Sequence, residues 1–185
     1  VYSVLFFLFT YSLRQDKAYQ KQISTMLLDE ISSSIDTNLK SIESKVISCS
    51  QSVGFLYFSN KKDPRRVSRL ADQIGDKQGN SLFASSEVVA FSLYNSASGI
   101  HRNYIRSYSH SFLESKLPKI TAQLLSSEDT NYGFSTYTLN NHCYITYLAT
   151  RRYGTVLVMI DPQKNKKLEG YDSSALYHDL ELTFT

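Results

Sequence analysis

The stretch from Tyr132 to Asp161, YGFSTYTLNNHCYITYLATRRYGTVLVMID, decides the fold of this chain. It contains three runs rich in β-branched and aromatic residues, which are Tyr132 to Leu139, His142 to Ala149 and Tyr153 to Asp161. The pairs Asn140-Asn141 and Arg151-Arg152 separate these runs, and short polar pairs of this kind are typical of tight turns. The stretch therefore predicts a three-stranded antiparallel meander.

Two further strands are expected on the N-terminal side of the meander. Val88 to Tyr94 (VVAFSLY) reads as a strand, Asn95 to Gly99 as a turn, and Ile100 to Tyr108 as a second strand with alternating side chains. Between them and the meander, His110 to Ser127 has a helical pattern that is interrupted or restarted at Pro118. The sheet is therefore expected to have five strands, with a helical insert after the second.

A long helix is predicted before the first strand. From Arg14 to about Ser59 the chain has no proline, a single glycine, and apolar residues at steps of three and four, which indicates one helix of about 45 residues. Its narrow apolar seam could pack along the sheet, pair with a second copy of the chain, or belong to a stalk. Asp63 and Pro64 then predict the start of a short helix that ends near Ile74, before a loop from Gly75 to Asn80. The fold class is thus α+β.

Both ends of the sequence have their own character. Val1 to Leu13 has no charge but is shorter than the ~20 residues that cross a bilayer, so we expect the outer end of a truncated transmembrane helix. A buried core helix and the apolar part of a signal peptide are the alternatives. Pro162 to Gly170 is a basic linker, and Asp179 to Thr185 alternates like a strand, which predicts that another sheet begins there.

The composition excludes several classes of protein. The chain has 185 residues, of which 42% are hydrophobic and 20% charged, which excludes a disordered chain, a collagen and an end-to-end coiled coil. Its net charge of +3 is low for a dedicated nucleic-acid binder. It also has no G-x-G-x-x-G motif, so a parallel nucleotide-binding sheet is not expected.

No catalytic or metal site is predicted, and no cofactor. The spacings of metal ligands are absent among the four histidines, which are His101, His110, His142 and His178. Cys143 has no protease signature around it. Cys49 and Cys143 form no disulfide framework; they could pair in an extracytoplasmic domain, although two separate buried thiols are the preferred interpretation.

Basic residues form small clusters. One side of the short second helix carries Arg65, Arg66 and Arg69, which indicates a solvated face, with an anion site or a lipid-headgroup contact as the alternative. Other cationic residues fall on a turn and on the linker, at Arg151, Arg152, Lys164, Lys166 and Lys167. No aromatic platform is interleaved with them, so no contact with nucleic acid is expected.

Tyrosine is the residue type that points to a binding site. A phenol can stack on an apolar or sugar-like ligand and also donate a hydrogen bond. The predicted strands carry five tyrosines, Tyr104, Tyr108, Tyr137, Tyr144 and Tyr147. Strand alternation places Tyr104, Arg106 and Tyr108 on one face and puts Tyr147 opposite Tyr144. The alternative is that these rings fill the rim of an ordinary core.

The order of elements resembles the extracytoplasmic Cache (PAS-like) sensor domain of bacterial membrane receptors. The likeness rests on Ile35 to Leu56 of the long helix, on Glu87 to Tyr94 as the first strand, and on Tyr153 to Asp161 as the last. The closing Gly-x-Val-Leu-x-x-Ile-Asp, which ends at Asp161, is similar to that of YesM-like sensor histidine kinases and membrane-anchored AraC-type regulators. No single motif in this likeness is diagnostic.

The resemblance implies four segments along the chain. They are a truncated anchor (1–13), a juxtamembrane signalling helix (14–59), a sensor lobe (60–162), and a linker with the first strand of a membrane-proximal lobe (163–185). The amino-acid-binding members of the family use a Tyr, an Arg-x-Trp-Tyr stretch and late Asp residues. Here only Arg106 and Asp161 match, and Trp is absent, so a sugar or another small solute is implied instead. The candidate ligand-binding residues are Tyr104, Arg106, Tyr108, Tyr137, Tyr144 and Asp161.

The expected function is ligand sensing at the cell membrane, with an extracytoplasmic sensor domain. The long helix would pass the signal to a histidine kinase or an AraC-type output and would hold a homodimer together. The rival hypotheses are a structural or adhesive ectodomain without a small ligand and a small hydrolase. A structural ectodomain would lack a pocket between the sheet and its helical insert.

Overall fold

The computed structural model describes residues 2–126 and 132–164 of the chain. The four α-helices are α1 (Tyr2–Gln51), α2 (Val53–Asn60), α3 (Pro64–Leu82) and α4 (Leu117–Ser126). The five strands are β1 (Val88–Asn95), β2 (Ile100–Ile105), β3 (Tyr132–Leu139), β4 (His142–Arg151) and β5 (Gly154–Ile160). Two short 3-10 helices are also present, at Tyr108–Leu113 and Pro162–Lys164. The predicted strand near the C-terminus lies outside the described residues.

The strands form one sheet in the order β2-β1-β5-β4-β3. All four neighbouring pairs are antiparallel, which confirms the predicted α+β class with a five-stranded antiparallel sheet. The meander β3-β4-β5 follows the prediction closely. Its first turn has positive φ angles at Asn140 (53°) and Asn141 (60°), the combination that two-residue hairpin turns favour.

The sheet is covered on both faces, which explains its apolar central strands. On one face, here called the α1–α3 face, the buried side chains include Phe91 and Val158, which pack with Ile42 of α1, Phe58 of α2 and Val67 of α3. The opposite α4 face packs against the 3-10 helix and α4, and its cluster contains Val89, Ala90, Leu113, Leu117, Ile120, Leu157 and Met159. Two-sided burial therefore gives β1 and β5 continuous apolar runs where a half-exposed strand would alternate.

The chain forms two units, Val1–Thr37 and Asn38–Thr185. In the first unit the described backbone is entirely α1. Its described side chains include three large hydrophobic ones that are mainly exposed, Tyr19 (66%), Ile23 (40%) and Met26 (64%). In the part of the chain that the structure describes, no helix has both the length and the hydrophobicity that a membrane crossing requires. The membrane anchor at 1–13 stays a prediction.

The prediction of one unbroken helix to Ser59 is wrong at its end. The helix stops at Gln51, and Ser52 has an extended conformation in which its side chain accepts a hydrogen bond from the amide of Phe55 (3.2 Å). Serine favours this capping role over the helix interior because its short hydroxyl competes for backbone groups. The break turns α2 so that Phe55 and Phe58 become buried. Val53, which would continue the apolar seam of the predicted long helix, is instead 69% exposed.

The second helix is longer than predicted, and the second strand is shorter. Residues 75–80, expected to form a loop, are helical, and α3 continues to Leu82. Strand β2 ends at Ile105, so Tyr108 lies in the 3-10 helix and not on the strand face that it was expected to share. The predicted helical stretch after it is two segments, and Pro118 occupies the first turn of α4, where proline is tolerated.

The two cysteines are free and lie in different environments. Cys49 is fully buried in the core between α1 and the sheet, and burial raises the pKa of its thiol to about 12. Cys143 is exposed. The expectation of two buried thiols is therefore correct for Cys49 and wrong for Cys143, which lies near the start of β4, outside the buried part of that strand.

Glycine explains why α3 packs so closely on the sheet. The ring of Tyr104 lies directly against Gly75, where a Cβ atom would overlap it, and that ring is held by stacking on Phe91 and by a hydrogen bond to the carbonyl of Ala71 (2.9 Å). One turn later, a Cβ atom on Gly79 would lie 3.7 Å from Phe91, an ordinary contact. Close approach at Gly75 thus outweighs the low helix propensity of glycine.

We predict that Gly75→Ala lowers the free energy of unfolding by ~1 to 3 kcal/mol, since the added methyl displaces the fixed Tyr104 ring. The matched control is Gly79→Ala in the same helix, which we expect to be neutral or to stabilise by up to ~1 kcal/mol because alanine favours the helix. Urea unfolding of both variants measures the difference. Equal effects of the two substitutions would contradict the close-approach explanation.

Candidate functional site

A cleft opens between α4 and the end of the sheet formed by β1 and β2. Its volume is ≈ 420 Å³, within the range of small-molecule sites. Its lining residues are Tyr94, Ser96, His101, Pro118, Thr121, Ala122, Leu125 and Ser126. The first three come from the hairpin β1-β2 and the rest from α4, so the cleft lies between the sheet and its helical insert.

The hairpin fixes the two aromatic side chains of the cleft. Tyr94 and His101 are direct cross-strand partners, and their ring centroids are 5.0 Å apart. The buried Asn95 holds the turn: its Oδ1 accepts a hydrogen bond from the amide of Ser98 (2.9 Å), and its Nδ2 donates to the carbonyl of Phe58 (2.7 Å). The aromatic wall is therefore built on a braced turn.

His101 is part of a polar contact within the sheet face. Its Nε2 lies 2.6 Å from Oγ of the fully buried Ser92. Burial lowers the pKa of the His101 imidazole, so the ring is neutral near pH 7. Among the residues that the structure describes, none of those that line the cleft is an Asp, Glu, Lys or Arg.

The hydroxyl groups of the cleft differ in their availability. Thr121 and Ser126 donate to carbonyls of their own helix, at Leu117 (2.9 Å) and Gln123 (2.8 Å). The Tyr94 hydroxyl makes no hydrogen bond to any residue that the structure describes. The cleft thus offers one free phenol, apolar surface, and helix hydroxyls that can still accept.

Two of the sequence-predicted candidates lie on the opposite face of the sheet. Tyr104 stacks on Phe91 with ring centroids 4.5 Å apart, and burial, followed by nearby Asp72 and Asp76, raises its pKa to about 12. Arg106 donates to the carbonyl of Val88 (2.8 Å) and to the carbonyls of Phe83 and Ser85. Both side chains hold α3 and its following loop on the sheet, which is a structural task.

Tyr108, predicted beside them, begins the 3-10 helix that starts after β2. Its side chain lies outside the described residues, so its place relative to the cleft stays open.

The remaining three candidates lie together on the α4 face. Tyr137 and Tyr144 are cross-strand partners, and His142 connects Tyr144 to Asp161: its ring centroid is 4.5 Å from that of Tyr144, and its Nε2 is 3.1 Å from Asp161 Oδ1. Asp161 Oδ1 also accepts from the amide of Gln163 (3.0 Å). Burial, then the Asp161 carboxylate, raises the pKa of Tyr144. These three residues are not among those that line the cleft, and the hydrogen bond between His142 and Asp161 lies within their group.

Of the six candidate residues, the five whose side chains the structure describes do not line the cleft. The sequence-based turn at 95–99 would have paired Tyr94 with Ile100, whereas the observed turn at 96–99 pairs Asn95 with Ile100 and so places Tyr94 opposite His101. The helical side was readable from the sequence, since Pro118, Ala122 and Leu125 recur at steps of four and three. What no local pattern shows is which sheet face α4 covers.

No protein-family model matches the chain, and no curated protein matches it.

The neutral state of His101 predicts a pH dependence of stability. Because its folded pKa lies below the ordinary value of 6.5, the unfolded chain binds more protons below that pH, and the free energy of unfolding must fall as the pH drops from 6.5 through the folded pKa. We expect His101→Gln to show a smaller loss of stability between about pH 7.5 and pH 5. Denaturant unfolding at both pH values measures it, with His142→Gln as the control that keeps the His101 contribution.

Proposed function

We propose that this chain is the extracytoplasmic, ligand-sensing domain of a bacterial transmembrane signalling protein, with a sensor histidine kinase as the first candidate parent and a membrane-anchored AraC-type regulator as the alternative. The observation that carries the proposal is the cleft between the sheet and α4. A structural ectodomain without a ligand has no use for an aromatic-walled cleft with a free phenol. The element order, which resembles Cache domains, supports the same choice.

The chemistry of the cleft favours an uncharged ligand. A charged group entering it would lose water without meeting a counter-ion among the described lining residues, because none of them carries a fixed charge and His101 is neutral. The rings of Tyr94 and His101 offer a surface for an apolar face, and the Tyr94 hydroxyl can bind a ligand hydroxyl. A small sugar or polyol has both features.

Strand β1 supplies a physical connection from the cleft to the helices. At its C-terminal end, Asn95 follows the cleft residue Tyr94 and bonds the carbonyl of Phe58 in α2. Before its N-terminal end, Glu87 accepts from Nδ2 of Asn38 (2.8 Å) and Ser85 accepts from Nζ of Lys45 (2.9 Å), both in α1. A ligand that shifts the hairpin therefore acts on contacts with α1 and α2.

This connection sets the energetic requirement for signalling. A ligand changes the balance between two arrangements only through its difference in affinity for them. A difference of ~1.4 kcal/mol changes their ratio about tenfold. Rearranging two or three hydrogen bonds of the kind that join β1 to the helices is enough for an effect of that size.

The test is a ligand screen by thermal shift with uncharged sugars and polyols, amino acids and organic acids. We expect a saturable rise in melting temperature with an uncharged compound, because a ligand that binds only the folded state stabilises it. The variant Ala122→Phe, which fills the cleft from α4, should abolish the shift. Its matched control is Gln123→Phe, at the adjacent exposed position outside the lining, which should keep it.

Two results would contradict this proposal. A shift that survives Ala122→Phe would place the ligand elsewhere, and the absence of any saturable shift across the panel would remove the support for sensing. If organic acids gave the largest shifts in melting temperature, the ligand would be charged. That result would contradict the inference of an uncharged ligand.

We also propose that the first unit of α1 pairs with a second copy of the chain. Its exposed side chains Tyr19, Ile23 and Met26 follow one another at steps of four and three, which places them on one stripe of the helix. A stripe of this kind costs free energy in water and is buried when two helices pair. A homodimer would give the sensor a partner for its long helix.

We predict that Met26→Glu shifts the chain from dimer to monomer, because a carboxylate in the stripe would have to be buried on pairing. Ser24→Glu, an equal charge at an exposed position off the stripe, should leave the dimer intact. Sedimentation equilibrium over a series of protein concentrations measures both. A parent chain that remains monomeric at the highest concentration would rule out pairing by this helix.

A further inference from the structure

One end of the sheet carries a concentration of positive charge that the proposed sensing function does not use. The connection between α2 and α3, the first turn of α3, and the turn between β4 and β5 together contribute six cationic residues, which are Lys61, Lys62, Arg65, Arg66, Arg151 and Arg152. We call this set the basic end. Five of the six are exposed, and Lys61 is partly exposed.

The basic end is strongly unbalanced in charge. Its six cations stand against a single carboxylate, that of Asp63, for a net charge of +5, whereas the whole chain has a net charge of only +3. The rest of the chain is therefore at −2. The neighbouring turn at 95–99 (NSASG) adds no charge of either sign. The excess of positive charge thus lies at this end, since the fourteen cationic residues elsewhere are outnumbered by sixteen acidic ones.

Asp63 does little to neutralise the set. Its Oδ1 accepts the amide of Arg65 (3.2 Å) and so caps α3, and its Oδ2 lies 3.6 Å from Nε of Arg66 in an exposed pair. That pair is the one salt bridge at this end among the residues that the structure describes. The other cations have no carboxylate partner there.

Direct contacts bring the separate segments of the basic end together. Arg152 donates through Nη1 to Oδ1 of Asn60 (2.5 Å), and the amide of Tyr153 donates to the carbonyl of Ser59 (3.3 Å). The ring of Tyr153 lies under two cations, with Nζ of Lys62 at 5.4 Å and Cζ of Arg152 at 5.2 Å from its centroid. Those two charges are therefore within about 11 Å of each other.

The Tyr153 ring fixes two exposed cations at a separation of the order of the screening length, about 10 Å at 0.1 M salt, so their direct repulsion is weak and both collect counter-ions. A bound anion with several charges would release these counter-ions. We infer that the basic end binds an extended linear polyanion, a soluble polymer with closely spaced phosphate groups.

The geometry favours a polymer over a single small anion. A small anion is held by several donors that converge on one point, whereas these side chains are exposed and come from separate segments of the surface. A chain of phosphates can meet such cations one after another. A polymer without bases fits better than single-stranded nucleic acid, whose bases stack on aromatic rings. The Tyr153 ring, which lies beside the basic end, is already in contact with Lys62 and Arg152.

The test uses the full chain and labelled long-chain inorganic polyphosphate, with binding followed by fluorescence anisotropy. Counter-ion release from six contacts predicts that the logarithm of the binding constant falls with the logarithm of salt concentration with a slope of about −4. Removal of four of the six cations should weaken binding at least tenfold at low salt and reduce the slope to about −1.5. That variant combines Lys62→Gln, Arg65→Gln, Arg66→Gln and Arg151→Gln.

The matched control removes four exposed lysines from other parts of the surface, with the same change in net charge. It combines Lys40→Gln, Lys77→Gln, Lys116→Gln and Lys119→Gln, and we expect its affinity and salt slope to stay close to those of the parent chain. The inference is independent of the cleft, so Ala122→Phe should bind polyphosphate as the parent chain does.

Several results would overturn the inference. Equal weakening in both fourfold variants would show that only net charge matters, and a parent chain with no binding or with a slope weaker than about −2 would exclude a multi-contact site. The slope of the parent chain does not depend on the folding of any variant. Tighter binding to duplex DNA, or to vesicles that contain anionic lipid, at equal phosphate concentration would show that the partner is not a base-free soluble polymer.

Discussion

The antiparallel pairing of β1 with β5 holds this structure together. These two strands lie more than sixty residues apart in sequence, and they pair over nearly the whole length of β1 at the centre of the sheet. Every residue of β5 is buried, as is all of β1 apart from Tyr94. Without this pair the hairpin β1-β2 and the meander would be separate sheets too small to bury helices on both faces. The cores on both sides of the sheet depend on it.

The sequence predicted the fold class because its signals were local. The alternation and turn pairs of Tyr132 to Asp161 define strands that pair with their neighbours along the chain, and the meander forms as expected. Errors arose where a long-range contact overrode a local tendency. Gly75 and Gly79 read as loop residues, yet α3 continues through both, and at Gly75 the ring of Tyr104 occupies the space that a side chain would need. The capping tendency of Ser52 is also local, but the apolar residues at steps of three and four on both sides of it predicted an unbroken helix.

The candidate site shows a similar division. The prediction that strand tyrosines form a binding site stays a prediction: Tyr104 contributes its phenol to the packing of α3, and Tyr144 lies beside His142, which bonds Asp161. Tyr94 lines the cleft. It lies near the C-terminal end of β1, beside a turn, and is therefore only partly buried. Which face α4 covers is decided by the summed apolar contacts of Leu113, Leu117 and Ile120, and no single residue encodes that choice.

The two thiols have a consequence for following the motions of this protein. Cys143 lies on the surface, so a reagent that alkylates thiols reaches it at any time, while Cys49 reacts only when the C-terminal part of α1 has separated from the sheet. The high pKa of the buried Cys49 keeps it protonated and inert until then. The chain thus contains a reference thiol and a reporter thiol, and the ratio of their alkylation rates gives the free energy for separating the C-terminal part of α1 from the sheet.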